Sequence, residues 1–475
     1  MSPSPDAPLS WSESREMNPL EALMWRAEVD PRLRSTICGL EILDCVPDWE
    51  RFVAAVDWGS RMAPRFRQKV VEPAFGLGSP AWVNDPDFDL HYHVRRVALP
   101  AGSTYQELLR AAEQAAMPPF DRARSPWEAI LFEGLPDGRG AFFLKMHHST
   151  TDGMGSVQLF SQLHSRTREH NPRKPQPPPP PPEQATPFEV LRDRVARDLQ
   201  ALPDLLGLAG KAARAAADPV ASTNEALEFA SSLRRMLAEP DGEGSPLLGK
   251  RSLSWRFAAL DVAFADLRGA SKQAGASLND AFLAALLGAF RLYHEKLGTP
   301  IETMPIAIPI SVRSDDDDAG GNRFAGARFA APVGIVDPRE RMHAVGRTVR
   351  RFRDEPAIDG ASLLAPALVR LPSPLLTAFT GSLTKSNDLQ ASNVPGIRED
   401  VYLAGAKILR SYGFGPLPGC ASMITLVTHG DTCCIAANVD PAAVTDQALF
   451  TECLSAGFSE VLALEPGSQP PVALV

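Results

Sequence analysis

Six consecutive prolines, Pro177 to Pro182, sit within a proline-rich stretch from Asn171 to Pro187. Proline has no backbone N–H and a fixed φ, so such a run cannot join a packed sheet; as polyproline II it spans about 3.1 Å per residue as a semi-rigid connector. The 475-residue chain is thereby cut into two halves. Against a rough domain size of about 100 to 200 residues, the expected division is a first domain over 1–170, a connector over 171–250 and a second domain over 251–475. The connector continues past the prolines as Phe188 to Leu237, an Ala/Leu/Arg-rich segment broken at Pro203 and Pro219 that reads as crossover helices. A proline-rich recognition ligand is the other reading, but a position between globular segments favours the connector.

Composition narrows the class. A hydrophobic share of 44% and a charged share of 22% are those of a folded globular chain and exclude wholesale disorder. The formal net charge of −9 gives no electrostatic reason to expect a nucleic-acid partner. The cysteines (Cys38, Cys45, Cys420, Cys433, Cys434, Cys453) form no CxxC pair and are too sparse for a disulfide framework, so a reduced, cytoplasmic setting is expected. On a strand, adjacent Cys433 and Cys434 point to opposite faces. Met1 to Leu9 does not read as a signal peptide, and the longest apolar stretch, Ala361 to Thr380, is interrupted by Arg370 and three prolines, a poor spanning segment. Contact of this stretch, with its leucine pairs Leu363/Leu364 and Leu375/Leu376, with a membrane surface stays open on composition alone.

Each half mixes strands and helices without strict alternation, which predicts α+β layering. Ser103 to Ala115, Gly153 to Arg166, Phe264 to Gln273 and Asn279 to Glu295 have helical spacing. Trp127 to Phe132, Ala141 to His147, Met304 to Val312, Phe324 to Val333 and Ala421 to Val439 read as extended.

The apolar run from Phe142 ends in His147 and His148, followed by Ser149, Thr150, Thr151, Asp152 and Gly153 before helical spacing begins. A strand, a polar turn and a helix start aim a side chain into a cleft. Alternation sends the two histidines to opposite faces, with His148 sharing parity with Phe142, Leu144 and Met146. A neutral imidazole there can take a proton from a hydroxyl or an amine. Asp152 and Gly153 also suit plain helix-start chemistry, and diverging histidines with no further ligand cluster point away from zinc. In the second half, Ser277 and Asp280 have capping-box spacing ahead of the stripe Phe282, Leu283, Leu286, Leu287 and Phe290. Asn279, in that helix's first turn, either belongs to the helix start alone or holds negative charge developing on a carbonyl oxygen. Walker, serine-hydrolase and calcium-loop patterns fail; Asp315 to Asp318 reads as a solvated turn.

From His147 to Gly153 the sequence resembles the HHxxxDG signature of the superfamily that contains chloramphenicol acetyltransferase and peptide-synthetase condensation domains. Further blocks narrow the resemblance: Pro86 to Leu90 with His93 to Arg96, Ser125-Pro126-Trp127-Glu128 where the family has PLW, Asn279-Asp280, Pro309 to Arg313, Ser392 to Gly396, and Tyr402 to Ala406. Together, from about Leu20 to Leu464, they resemble the bacterial wax ester synthase/diacylglycerol acyltransferases. The resemblance implies two chloramphenicol-acetyltransferase-like α/β domains with the active-site tunnel at their interface. It implies transfer of a fatty acyl group from acyl-CoA, as co-substrate and with no other cofactor or metal, to a diacylglycerol or long-chain alcohol hydroxyl, at a membrane or lipid-droplet surface. Carried over, His148 is the general base, His147 supports it, Asp152 orients the loop, Gly153 keeps it tight and Asn279 helps hold the oxyanion. Asp280, Trp127 and Asn393 are implied as structural or substrate-binding residues. Two readings compete: a condensation-type enzyme fed by carrier proteins, and a non-catalytic lipid-binding or droplet-coat protein, which would have no chemical need of His148 and Asn279.

Overall fold

The computed structural model describes residues 14–151, 155–156, 159–160, 163–171, 174, 176–197, 244–311, 324–355 and 387–474. Among the sequence-based expectations, Asp152, Gly153, most of the 188–237 segment, Asp315 to Asp318 and the Ala361 to Thr380 patch lie outside these residues.

The chain folds into a mixed α/β structure built on two large sheets, as expected. The first half supplies β1 (Thr36–Leu43), β2 (Gln68–Val71), β3 (Ala81–Asn84), β4 (Val94–Ala98), β5 (Trp127–Glu133) and β6 (Gly140–His147), with helices α1 (Pro19–Ala27), α2 (Trp49–Met62) and α3 (Tyr105–Ala116). The second supplies β7 (Arg256–Ala263), β8 (Thr303–Ser311), β9 (Phe324–Pro332), β10 (Leu389–Val394), β11 (Tyr402–Leu403), β12 (Ala406–Phe414), β13 (Ser422–His429), β14 (Thr432–Val439) and β15 (Val472–Ala473). Its helices are α4 (Phe264–Gln273), α5 (Leu278–Lys296), α6 (Pro338–Arg353) and α7 (Gln447–Leu462). Helix starts follow local chemistry: Asn18 with Glu21, Thr104 with Glu107 and Ser277 with Asp280 each close a reciprocal capping box that satisfies free N–H groups. The extended stretch from Ala421 to Val439 is a hairpin, β13 and β14, turned at Gly430, whose φ of 54° lies in the left-handed region open to glycine.

One sheet runs β11-β12-β1-β6-β5-β4 and the other β15-β7-β14-β13-β10-β8-β9. The first is therefore not made by the first half alone: β11 and β12 return from the second half, and β12 pairs antiparallel along β1 from Cys38 opposite Phe414 to Leu43 opposite Ile408. The inner faces of the two sheets meet in a shared core, where Cys38, Leu40, Ile130 and Phe143 pack with Trp255, Phe257, Tyr412, Phe414 and Cys434. Cys433 faces the other way, into the core beneath α5 and α7. Polar contacts cross the same boundary. Tyr412 Oη donates to Asp261 Oδ1 at 2.6 Å, and the Phe257 N–H donates to Glu113 Oε1 at 2.7 Å.

The proline run is not a free spacer. It lies along β3: Asn84 Nδ2 donates to Pro181 O at 2.9 Å, and Glu183, the first residue after the prolines with a backbone donor, gives its N–H to Asn84 O at 3.2 Å. The sheet edge thus pairs where donors resume, which a chain of prolines cannot do for itself.

In the second lobe α5 and α7 cross so closely that a Cβ on Gly457 would run into Ala285 O and lie 2.6 Å from Ala289 N. Gly457→Ala is expected to destabilise the protein by about 1 to 3 kcal/mol through overpacking. A denaturant midpoint lowered at unchanged slope checks this; an unshifted midpoint contradicts the close crossing.

Candidate active site

The histidine pair stands where β6 gives way to a turn. The strand ends at His147, whose N–H donates to Pro126 O at 3.0 Å; the His148 N–H donates to Ser35 O at 2.7 Å, and the Thr150 N–H to His147 O at 2.9 Å. His148 therefore opens the turn while its backbone is still held against the start of β1. Since Thr36 pairs with His147, the two share a face with Cys38, Lys145 and Phe143.

His147 is fully buried. Its Nδ1 accepts the Ser149 N–H at 3.0 Å and lies 2.7 Å from Ser149 Oγ. An accepting Nδ1 leaves the ring proton on Nε2, which lies 3.1 Å from Glu28 Oε1, off the line of a good hydrogen bond. Trp25 meets the ring edge to face at 5.1 Å between centroids and Phe120 at 6.2 Å. The Ser35 N–H donates to the same Glu28 oxygen at 2.8 Å, so one carboxylate ties α1 to both the buried ring and the peptide that holds His148. Burial raises the Glu28 pKa, but the His147 ring, the Ser35 N–H and the Arg122 guanidinium outweigh it and leave the carboxyl below its usual value. His148 is half-buried.

The other candidates occupy distinct places. Asn279 is half-buried in the first turn of α5, in the second lobe, and its side chain makes no hydrogen bond to another described residue. Asp280 closes the capping box, accepting the Ser277 N–H at 3.0 Å, and lies 3.7 Å from Arg350 Nη1. Trp127 is enclosed: its Nε1 donates to Phe66 O at 2.7 Å and its ring stacks on His93 at 4.5 Å, so it packs the wall behind β5. Asn393 is half-buried on β10, opposite Leu426 of β13. Sequence reasoning missed Glu28, Trp25 and Ser149. Glu28 carries no sequence signal, while Ser149 lay inside the motif as an unassigned position.

The histidine pair thus stands at the end of β6, in a chain whose two α/β lobes share one core. Residues 6–282 match the wax ester synthase/diacylglycerol acyltransferase catalytic domain, and residues 320–461 the C-terminal domain of the same family. The chain belongs to the wax ester synthase/diacylglycerol acyltransferase family, and it is an acyltransferase. A Mycobacterium tuberculosis H37Rv protein provisionally named diacylglycerol O-acyltransferase Rv2484c is 45% identical over 470 residues, covering 97% of this chain and 94% of that protein. The wax ester synthase/diacylglycerol acyltransferase from Marinobacter aquaeolei VT8 superposes with a TM-score of 0.63 at 21% identity, covering 94% of this chain and 98% of that one. The first condensation domain of the CDA synthetase shares the fold, with a TM-score of 0.60 at 14% identity and coverage of 98% and 99%.

Because the folded Glu28 pKa is depressed, its contribution to stability is present above the unfolded value of about 4.3 and is lost as pH falls through the folded value. Glu28→Gln is expected to be less stable than the wild type at pH 7 by about 1 to 3 kcal/mol, with the gap narrowing as pH drops below about 4. Thermal midpoints across pH check the sign; a gap that widens in acid contradicts it.

Proposed function

We propose that this acyltransferase moves a fatty acyl group from acyl-CoA to the hydroxyl of a diacylglycerol, with His148 as general base. The observation that carries this reading is the contrast within the pair. His147 is walled in by Trp25, Phe120, Ser149 and Glu28, whereas His148 is only half-buried. A ring nitrogen of His148 takes the acceptor's hydroxyl proton as that oxygen attacks the thioester carbonyl carbon. The tetrahedral oxyanion that forms receives a hydrogen bond from the Asn279 amide, and its collapse breaks the C–S bond. The leaving CoA sulfur takes the proton back from His148, giving ester and free thiol. A thioester is already activated, so a base, an oxyanion donor and alignment of two chains suffice. Each buried CH₂ of the acyl chain contributes about 0.8 kcal/mol toward that alignment.

Asp152 and Gly153 shape the turn after the histidines in this reading, and His147 with Glu28 fixes the strand end from behind. Diacylglycerol is preferred to a long-chain alcohol because the M. tuberculosis relative carries that substrate in its name. Such acceptors reside in lipid, so the protein works peripherally at a membrane or lipid-inclusion surface; among the described residues no helix is long and apolar enough to cross a membrane.

Thiol release from palmitoyl-CoA, measured with diacylglycerols, monoacylglycerols and long-chain alcohols, tests the reaction and its acceptor. His148→Ala is expected to lower kcat by about 10²- to 10⁴-fold, and Asn279→Ala by about 10²- to 10³-fold, with folding retained. Unchanged thiol release from His148→Ala overturns the assignment.

A further inference from the structure

The loop that joins β2 to β3 carries its apolar side chains outward. Phe75 is 82% exposed and Leu77 53%, while Ala74 behind them is buried. Phe75 has a φ of 61°, in the left-handed region that a bulky side chain rarely enters, and Gly76 and Gly78 are left-handed too, at 67° and 95°. Strain of that kind persists only where the surroundings fix it, and it gathers at functional sites. The loop is indeed fixed: Arg26, itself buried, donates from Nη2 to Gly78 O at 2.7 Å and pairs with Glu72 at 2.7 Å. A second apolar tip stands beside it. Residues 187–197 form a helix seated against β3 through Val190, and its exposed Phe188 meets the Phe75 ring edge to face at 5.9 Å between centroids.

Size and charge say what covers these tips. A covered Phe buries about 150 to 250 Å², so two rings and Leu77 fall short of the roughly 800 Å² per partner of a stable protein interface. Separate tips on a protrusion suit a deformable apolar medium instead. Along the helix, Glu16 answers both Arg194 and Arg197, and Asp193 both Arg15 and Arg192. With Glu189 as the described helix's other acid, four arginines stand against three carboxylates on a chain of net charge −9. The seam is positive where the chain as a whole is negative, which turns this side toward anionic headgroups. Position agrees. Arg26 lies on α1 next to Trp25, which packs on His147, and α1 is followed by Glu28, which meets the same ring. Resting on an acceptor dissolved in lipid, we propose that the loop 74–78 and Phe188 dock into an anionic phospholipid surface, with Phe75 as the principal anchor. Docking there places α1, and the strand end it braces, at the layer that holds the acceptor.

Co-sedimentation of the full chain with vesicles of phosphatidylcholine and phosphatidylglycerol tests this. Asparagine tolerates the left-handed backbone, so Phe75→Asn removes the ring without disturbing the loop. It is expected to lower the partition coefficient at least about tenfold, and Phe75→Asn with Leu77→Gln about 10²-fold, whereas Phe75→Trp binds as the wild type does. Wild-type binding should weaken when phosphatidylglycerol is left out. Thermal midpoints check folding; if Phe75→Asn does not fold, Leu77→Gln and Phe188→Gln, both at exposed side chains, carry the measurement. Partition unchanged in these variants overturns the proposal, as does a wild type that binds no vesicles or binds both compositions alike. A wild-type dimer in solution that Phe75→Asn dissociates also overturns it, in favour of a second copy as the occupant. Phe75-dependent vesicle binding by a protein that releases no thiol from palmitoyl-CoA with any acceptor keeps the docking surface and removes the acyltransfer reading, so the two failures are distinct.

Discussion

The structure depends on β1 being held on both edges. On one side it pairs with β6, the strand that ends in the histidines; on the other with β12, a strand that returns from the second half of the chain. That exchange turns two lobes into one body, because Tyr412 of β12 reaches Asp261 of β7 in the opposite sheet while Phe257 and Phe414 stack at 4.0 Å between them. A buried Tyr–carboxylate contact at such a boundary is costly to leave half-made, so the lobes hold one arrangement. The Tyr412 hydroxyl has a pKa raised by its burial and by neighbouring Cys434 and Asp261, so it stays a donor. With the lobes fixed, the end of β6 is fixed as well.

At that end stand two adjacent histidines in unlike surroundings. One ring is packed among aromatics with its tautomer set by the Ser149 N–H; the other is half-buried. The division is one of solvation and constraint. A base needs room for its substrate, and the enclosed ring of His147 has none. Glu28 meets the buried ring and the Ser35 peptide together, tying the end of α1 to both.

Much of this was legible in the sequence where the signal is local. The Ser277 to Asp280 capping box and its apolar stripe marked α5, and the divergence of Cys433 and Cys434 followed from alternation. The return of β12 into the first sheet was not legible, because strand pairing across some 370 residues leaves no periodic trace in either segment. Glu28 was invisible for the same reason: a carboxylate after a short helix becomes a histidine partner only through packing. Trp127 was singled out as structural or substrate-binding, and its enclosure by His93 and Phe66 places it behind the strand. The proline run was read for its stiffness and missed for its docking, which rests on one asparagine, Asn84, and the first donor after the prolines.

The account stands on the acyl thioester being presented to His148. A crystal structure of the full chain with a non-hydrolysable thioether analogue of palmitoyl-CoA tests this most directly. It should place the carbon that stands for the thioester carbonyl within reach of the His148 ring, with the reacting positions about 3 to 3.5 Å from their partners. An analogue whose carbonyl-equivalent carbon lies out of reach of the His148 ring would contradict it.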